Sequence, residues 1–293
     1  MSTSVLYDSP GPRSKRRVLI GSLGAGVLVV AALAVVGLQL DKQDQFAEER
    51  WAPLINPGDA AFTQVWTLLG NAFVNTLLAA GLAMAFSLVI GTLLAVTRLT
   101  ATRSYRWAVV GFIELFRGIP VVITIFFAAR VLPEFGVDLS NLWFLVIGLT
   151  AYNSVIIAEI VRAGVNSLPR GQGEAAQSLG MRRSQVLGTV LLPQAFRAML
   201  PALISQLVVV LKDTSLGFII SYEETVRTAG FIIQNLSNPI QVYLVIAVIF
   251  IVANYALGRL AIYTEHRLSR GKKVVAEPLP ADDVAGAGAK GGG

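Results

Sequence analysis

Six apolar stretches, each long enough to cross a bilayer as a helix, take up roughly half of this 293-residue chain. They cover 18–40, 68–97, 107–132, 142–165, 200–221 and 240–263. A helix needs about 20 mostly apolar residues to traverse the hydrocarbon. Lipid offers no partner to a backbone N–H or C=O, so each stretch must satisfy its own backbone groups by coiling. The expected fold is an all-α integral membrane bundle of six transmembrane helices. Composition agrees: 54% of residues are hydrophobic and 14% charged, against about 25% charged in soluble domains. Mean hydropathy is +0.65.

The net charge of +6 could suggest nucleic acid, but the basic residues lie in short flanks beside the apolar spans. That placement suits anionic lipid and topology rather than a DNA groove. With no cysteine, disulfides, thiolate metal sites and cysteine nucleophiles are excluded. The one histidine, His266, falls in the basic tail, where a solvated side chain is expected.

Basic residues in short loops set orientation. Arg13, Lys15, Arg16 and Arg17 precede the first span; Arg98, Arg103 and Arg106 follow the second; Arg162, Arg170, Arg182 and Arg183 follow the fourth; Arg267, Arg270, Lys272 and Lys273 follow the sixth. The alternate loops carry acids: Asp41, Asp44, Glu48, Glu49 and Asp59, then Glu134 and Asp138, then Glu223 and Glu224. Both termini are therefore expected in the cytoplasm of a multi-pass plasma-membrane protein. The basic n-region also fits a signal peptide, but the first apolar run is long for one and no small-x-small cleavage site follows.

The expected organisation is a cytoplasmic tail (1–17), an extra N-terminal span (18–40), an extracellular segment (41–67), a transmembrane domain (68–265) with a cytoplasmic loop at 166–197, and a disordered tail (266–293). The segment 41–67 should lie along the interface, with Trp51 and Trp66 near headgroup level. The closing GAGAKGGG lacks the spacing of a phosphate-binding loop, and no Walker sequence occurs. Nucleotide hydrolysis, if the chain depends on it, belongs to another chain.

The loop RGQGEAAQSLGMRRSQVLGTVLLPQAFRAMLP is polar and helix-forming. Gly171 and Gly173 are expected to break the preceding helix, with Glu174–Leu179 a short helix whose acid sits in the first turn, favoured by the dipole. Ala175 and Ala176 should present a low surface that a partner backbone can approach. Gly180 permits a left-handed turn. A second helix should follow over 183–192, with Pro193 turning the chain into the next span. Leu179, Met181, Arg182 and Arg183 then form an exposed apolar and basic tip. The same pattern could instead describe an amphipathic loop resting on the inner leaflet.

The spacing of Glu174-Ala175-Ala176, Gly180 and Leu192-Pro193 resembles the coupling loop of ABC-importer permeases, the membrane subunits that receive the stroke of a separate ATPase. Gly171-Gln172 and Gln194-Ala195-Phe196-Arg197 resemble the polar amino-acid branch. Glu114-Leu115-Phe116-Arg117-Gly118-Ile119-Pro120 is similar to that branch's E-[LF]-F-R-G-T-P segment, with Ile119 in place of Thr. Ala158-Glu159-Ile160-Val161-Arg162-Ala163-Gly164 and Leu211-Lys212-Asp213-Thr214-Ser215-Leu216 match two further runs. The extra first span and the string at 5–13 resemble glutamate-uptake permeases of the branch. The resemblance implies a type I ABC-importer transmembrane domain with one extra helix. Its implied partners are an ABC ATPase dimer that carries ATP-Mg, an extracellular binding protein, and a second permease or another copy of this chain. The chain itself would bind no cofactor and catalyse no reaction.

Ionisable residues inside a span are costly and face the bundle interior or water. Glu114 and Arg117 are i,i+3 neighbours, as are Glu159 and Arg162, so each pair can neutralise itself on one helix face. Pro120 should kink or break its helix and free carbonyls. Tyr152, Asn153 and Ser154 sit mid-span in the fourth segment; Ser205, Gln206, Lys212, Asp213, Thr214 and Ser215 populate the fifth. Such residues serve as interhelical glue or line a translocation pathway. Lys212 either pairs with Asp213 or another helix, or offers a positive site to a substrate carboxylate.

Three function classes are open on these observations: an ATP-driven importer of glutamate, glutamine or another polar amino acid; an ion-coupled secondary transporter; and a membrane enzyme. Secondary transporters often carry paired half-repeats, and none is visible here. A lone tail histidine and no acid/base cluster oppose an enzyme.

Overall fold

The computed structural model describes residues 11–269. The tail beyond 269 and the string at 5–10 lie outside them. In chain order the helices are α1 Pro12–Lys42, α2 Glu48–Ile55, α3 Phe62–Thr100, α4 Arg103–Gly118, α5 Val121–Val131, α6 Asn141–Asn166, α7 Arg170–Ser178, α8 Arg183–Gln185, α9 Leu192–Asp213, α10 Thr225–Leu236 and α11 Pro239–Ser269. A π-helical turn, Val186–Leu191, joins α8 to α9, and a 3-10 stretch, Thr214–Ile220, extends α9.

Five helical runs are long and apolar enough to cross a membrane, and a bent pair, α4 with α5, supplies a sixth crossing when counted as one. At Pro120 the break, rather than the kink, is the outcome. The stretch 107–132 does not cross as a single kinked helix; its halves meet at 98°. Pro120 caps α5, and Ile119 before it is extended (φ −89°, ψ 127°). A residue before proline is pushed out of the helical region, and proline has no N–H to continue the ladder. At 16 and 11 residues, neither half alone reaches the length a crossing needs.

α6 is the hub. Fourteen of its residues are buried, from Phe144 to Val165, and its most extensive pairing is with α3. α3 carries a ridge of small residues, Thr76, Ala80, Ala83, Ser87, Gly91 and Ala95, all buried, and meets α6 along it at Gly91. Gly91 marks the closest approach: a Cβ there would lie 2.6 Å from the Ser154 carbonyl oxygen. Lipid gives apolar side chains no reason to leave it for one another, so membrane helices associate through close backbone approach at such ridges. Large apolar side chains on the other face of α3 point away from the core: Val74, Val89 and Leu93 are about 60% exposed, as lipid-facing residues should be.

α1 buries none of its residues, so the first span stands outside the helical core. The segment after it is pinned to one end of the bundle. Arg50 donates to Ser237 O (3.1 Å), Asn238 to Arg50 O (3.0 Å), and Trp66 Nε1 to Leu54 O (3.0 Å). Leu54 is buried with Val65, Leu69, Ile232 and Val242.

Candidate functional site

The polar loop folds as a closed elbow. α7 begins directly after Pro169, so the break from α6 falls at Ser167–Pro169, not at Gly171 and Gly173, which are helical. A helix tolerates glycine at about 1 kcal/mol each; Pro169, with its fixed φ, sets the boundary. Glu174 is therefore the fifth helical residue and gains nothing from the first-turn dipole. The two alanines differ: Ala175 is exposed, while Ala176 is the one buried residue of α7, which packs against Val186–Leu191.

Gly180 has φ +79°. Its N–H bonds Gln177 O (2.9 Å), and Met181 N–H bonds Ala176 O (3.3 Å). This pair of bonds is the Schellman closure, which needs a left-handed residue at that position. The return arm starts where Gln185 Oε1 accepts from Arg182 N (2.9 Å). Gln194 Nε2 then donates to Gln172 Oε1 (3.2 Å), tying the two arms across the elbow. Pro193 does not turn the chain: Arg183–Ile220 runs on as one helical unit. The wider π turn at 186–191 directly precedes Pro193, whose missing N–H and ring are incompatible with a regular α ladder at that point. At the tip Leu179 is 84% exposed, Arg182 and Arg183 are exposed, and Met181 is half-buried.

At the foot of the elbow, both i,i+3 pairs form. Glu159 bonds Arg162 (2.8 Å) and also Arg98 of α3, so one carboxylate bridges two helices. Arg98 escaped the sequence reading, which assigned it to a loop as a topology marker. Glu114 and Arg117 pair more loosely, at 3.7 Å, and are about half exposed on α4.

The polar residues of the spans separate by role. Asn153 is fully buried; it donates to Leu149 O (2.8 Å) and accepts from Gln206 Nε2 of α9 (2.7 Å). Interhelical bonds of this kind contribute about 0.6 kcal/mol each in membranes. Ser154 donates to Ala151 O (3.2 Å), and Tyr152 is half-buried beside them. Thr214 is buried and donates to Leu211 O (2.6 Å); Ser215 donates to Lys212 O (2.7 Å). Lys212 is exposed, on the side that also exposes Ser205, and pairs neither with half-buried Asp213 nor with another acid among the described residues. Of the two alternatives for Lys212, the ion pair is not made among the described residues.

A further cluster, at the opposite end, was not legible beforehand. Tyr222 OH donates to Asn75 O (2.9 Å), Asn75 Nδ2 to Glu223 O (2.9 Å), and the Thr76 and Thr225 hydroxyls bond at 2.8 Å. Glu224, fully buried, caps α10 by accepting from Val226 N and Arg227 N (both 2.7 Å). Burial pushes its carboxyl up to about 7, against the lowering by those two bonds. Among the described residues no group of acids or histidines is placed to hold a metal.

The family described as binding-protein-dependent transport system inner membrane component matches residues 87–270. The chain belongs to this family. It is 42% identical over 240 residues to the glutamate transport system permease protein GluD of Corynebacterium glutamicum, covering 80% of this chain and 85% of that one. It is 32% identical over 200 residues to the probable glutamine ABC transporter permease protein GlnM of Bacillus subtilis (68% and 93%). A crystal structure of an amino acid ABC transporter with histidines superposes with a TM-score of 0.65 at 27% identity, over 71% of this chain and 97% of that one. The resemblance to ABC-transporter permeases and the importer fold expected from the motifs are both met.

Proposed function

We propose that this permease is the membrane subunit of an ATP-driven importer of a polar amino acid, glutamate being the substrate. The elbow carries the reading: two short arms closed by Gly180, cross-tied by Gln172 and Gln194, with an apolar and basic tip. A rigid lever of that form can take a push from a docked ATPase dimer. Glu174, Ala175, Leu179, Gly180, Met181, Arg182 and Arg183 would make or shape the contact, with Ala176 and Pro193 holding the fold behind it.

The lever joins α6 to α9, which are also bonded through Asn153 and Gln206. A displacement of the elbow would move both helices together and switch access between the two sides. An extracellular binding protein would deliver substrate to the acid-rich end. The charge pattern of the loops favours both termini in the cytoplasm of a prokaryotic cell, which would put the elbow on the side where ATP is available. A second copy or a homologous permease would complete the pathway. Tyr152, Lys212, Asp213, Thr214 and Ser215 would line it, with Glu114, Arg117, Pro120, Glu159 and Arg162 near the gate. Exposed, unpaired Lys212 suits an acidic substrate, and the identity to GluD supports glutamate. GlnM supports glutamine as the second reading. Family membership favours ATP coupling over an ion-coupled carrier.

Co-purification of an ATPase whose hydrolysis rises with glutamate and its binding protein, in proteoliposomes, tests the proposal. Glutamate uptake persisting without any associated ATPase would overturn it.

A further inference from the structure

Three arginines from three helices meet at the foot of the elbow, with one carboxylate among them. Arg98 in the last turn of α3, Arg106 in the first turns of α4 and Arg162 near the end of α6 line a cavity of about 290 Å³, together with Leu99, Val110 and Asn166. Glu159 is shared between Arg98 and Arg162. Arg106 has no ion-pair partner among the described residues. Three guanidinium charges against one carboxylate leave an excess of two positive charges around one open cavity. The neighbouring Glu114 and Arg117 cancel each other.

Guanidinium groups match phosphate through planar, two-pronged hydrogen bonding. The surroundings identify the source of the phosphate. Tyr105 and Trp107 stand beside Arg106 on α4, 61% and 72% exposed, and tyrosine and tryptophan collect at headgroup level in membrane proteins. Leu99 and Val110 give the cavity an apolar flank along which an acyl chain can lie. A cavity that is basic at its head and apolar at its flank, on a helix end that exposes interfacial aromatics, suits the headgroup and upper chain of a phospholipid.

We propose that this cavity holds the phosphate of an anionic phospholipid headgroup. The lipid bridges α3, α4 and α6 at the last residue of α6, Asn166, four residues before α7 begins. It therefore braces the base of the elbow against the bundle. This assignment depends on neither the transported substrate nor the ATPase.

Native mass spectrometry of the full chain, released from nanodiscs of phosphatidylcholine containing phosphatidylglycerol, tests it. The wild type should retain one phosphatidylglycerol in preference to phosphatidylcholine. Arg106→Gln, which breaks no ion pair, should weaken that retention about fivefold, as expected from ~1 kcal/mol per basic residue near a membrane surface. Arg106→Lys should recover part of it, and Arg130→Gln, an exposed arginine on α5, should change nothing. Equal retention of the two lipids, or retention indifferent to Arg106→Gln, would overturn the proposal. Displacement of the lipid by millimolar inorganic phosphate would overturn the lipid assignment and make the cavity a site for a soluble anion.

Discussion

Replacing Gly180 by valine tests whether the elbow works as a rigid lever. A Cβ built at Gly180 meets nothing within 4 Å, so a side chain there causes no collision. The cost is conformational: the residue holds φ +79°, and a left-handed conformation costs an L-residue roughly 1–2 kcal/mol. A β-branched side chain is stiffer still. The Schellman bonds from Gly180 and Met181 must break or bear that strain. A penalty of ~1–2 kcal/mol confined to the elbow lowers its closed population relative to open forms by a factor of roughly 5–30. Helix insertion should be untouched, because Gly180 lies outside every membrane-spanning run. With the ATPase and binding protein in proteoliposomes, Gly180→Val should lower glutamate transported per ATP hydrolysed by several-fold at unchanged membrane abundance. Asparagine, which tolerates the left-handed region, should retain most coupling. Transport at wild-type stoichiometry in the valine variant would refute the lever.

Glu159→Gln strips Arg98 and Arg162 of their shared carboxylate and should cost roughly 1–3 kcal/mol, discounted for partial exposure; Glu114→Gln, on a pair about half exposed, should stay within about 0.5 kcal/mol. Thermal unfolding in detergent separates the two, and equal effects would remove the bridging role of Glu159. Lys212→Glu should depress uptake of an acidic amino acid more than that of a neutral one; an equal loss of both would make Lys212 a packing residue. Glu224 has its folded carboxyl raised from 4.5 to about 7, so the folded state holds a proton the unfolded chain has released. Its stabilising contribution is complete below pH ~4.5 and fades as pH rises through ~7. Glu224→Gln should flatten the fall in melting temperature between pH 5 and 7.5, and an unchanged slope would discount the group.

The apolar spans were legible as helices because runs of about 20 apolar residues suit a membrane helix and not the shorter strands of a barrel. The left-handed turn at Gly180 was legible for a similar reason: a glycine between a polar helix and a renewed helical pattern leaves few alternatives. The start of α7 was misread because Gly171 and Gly173 drew attention from Pro169, whose fixed φ decides the boundary. The break at Pro120 was legible as a kink or break, while its 98° angle was not. The ridge from Thr76 to Ala95 on α3 carried a readable signal, small residues recurring at three- and four-residue spacing, which a search for apolar length passes over. Arg98 with Glu159, 61 residues apart, and Arg50 with Ser237, 187 apart, left none. Asn153 with Gln206 shows the middle case: both were visible as polar residues in apolar spans, and their mutual bond was not.

The lever itself can be tested at one position. The chain has no cysteine, so Leu179→Cys introduces a single thiol at an exposed position on the tip of the elbow. In the assembled transporter, a short thiol-directed photocrosslinker at that position should capture the ATPase, with a yield that changes between nucleotide-free and ATP-bound states, while Arg130→Cys at the far end of α5 should capture none. A Leu179→Cys thiol that reacts with membrane-impermeant reagent from outside the cell, or that never crosslinks to an ATPase, would contradict the account.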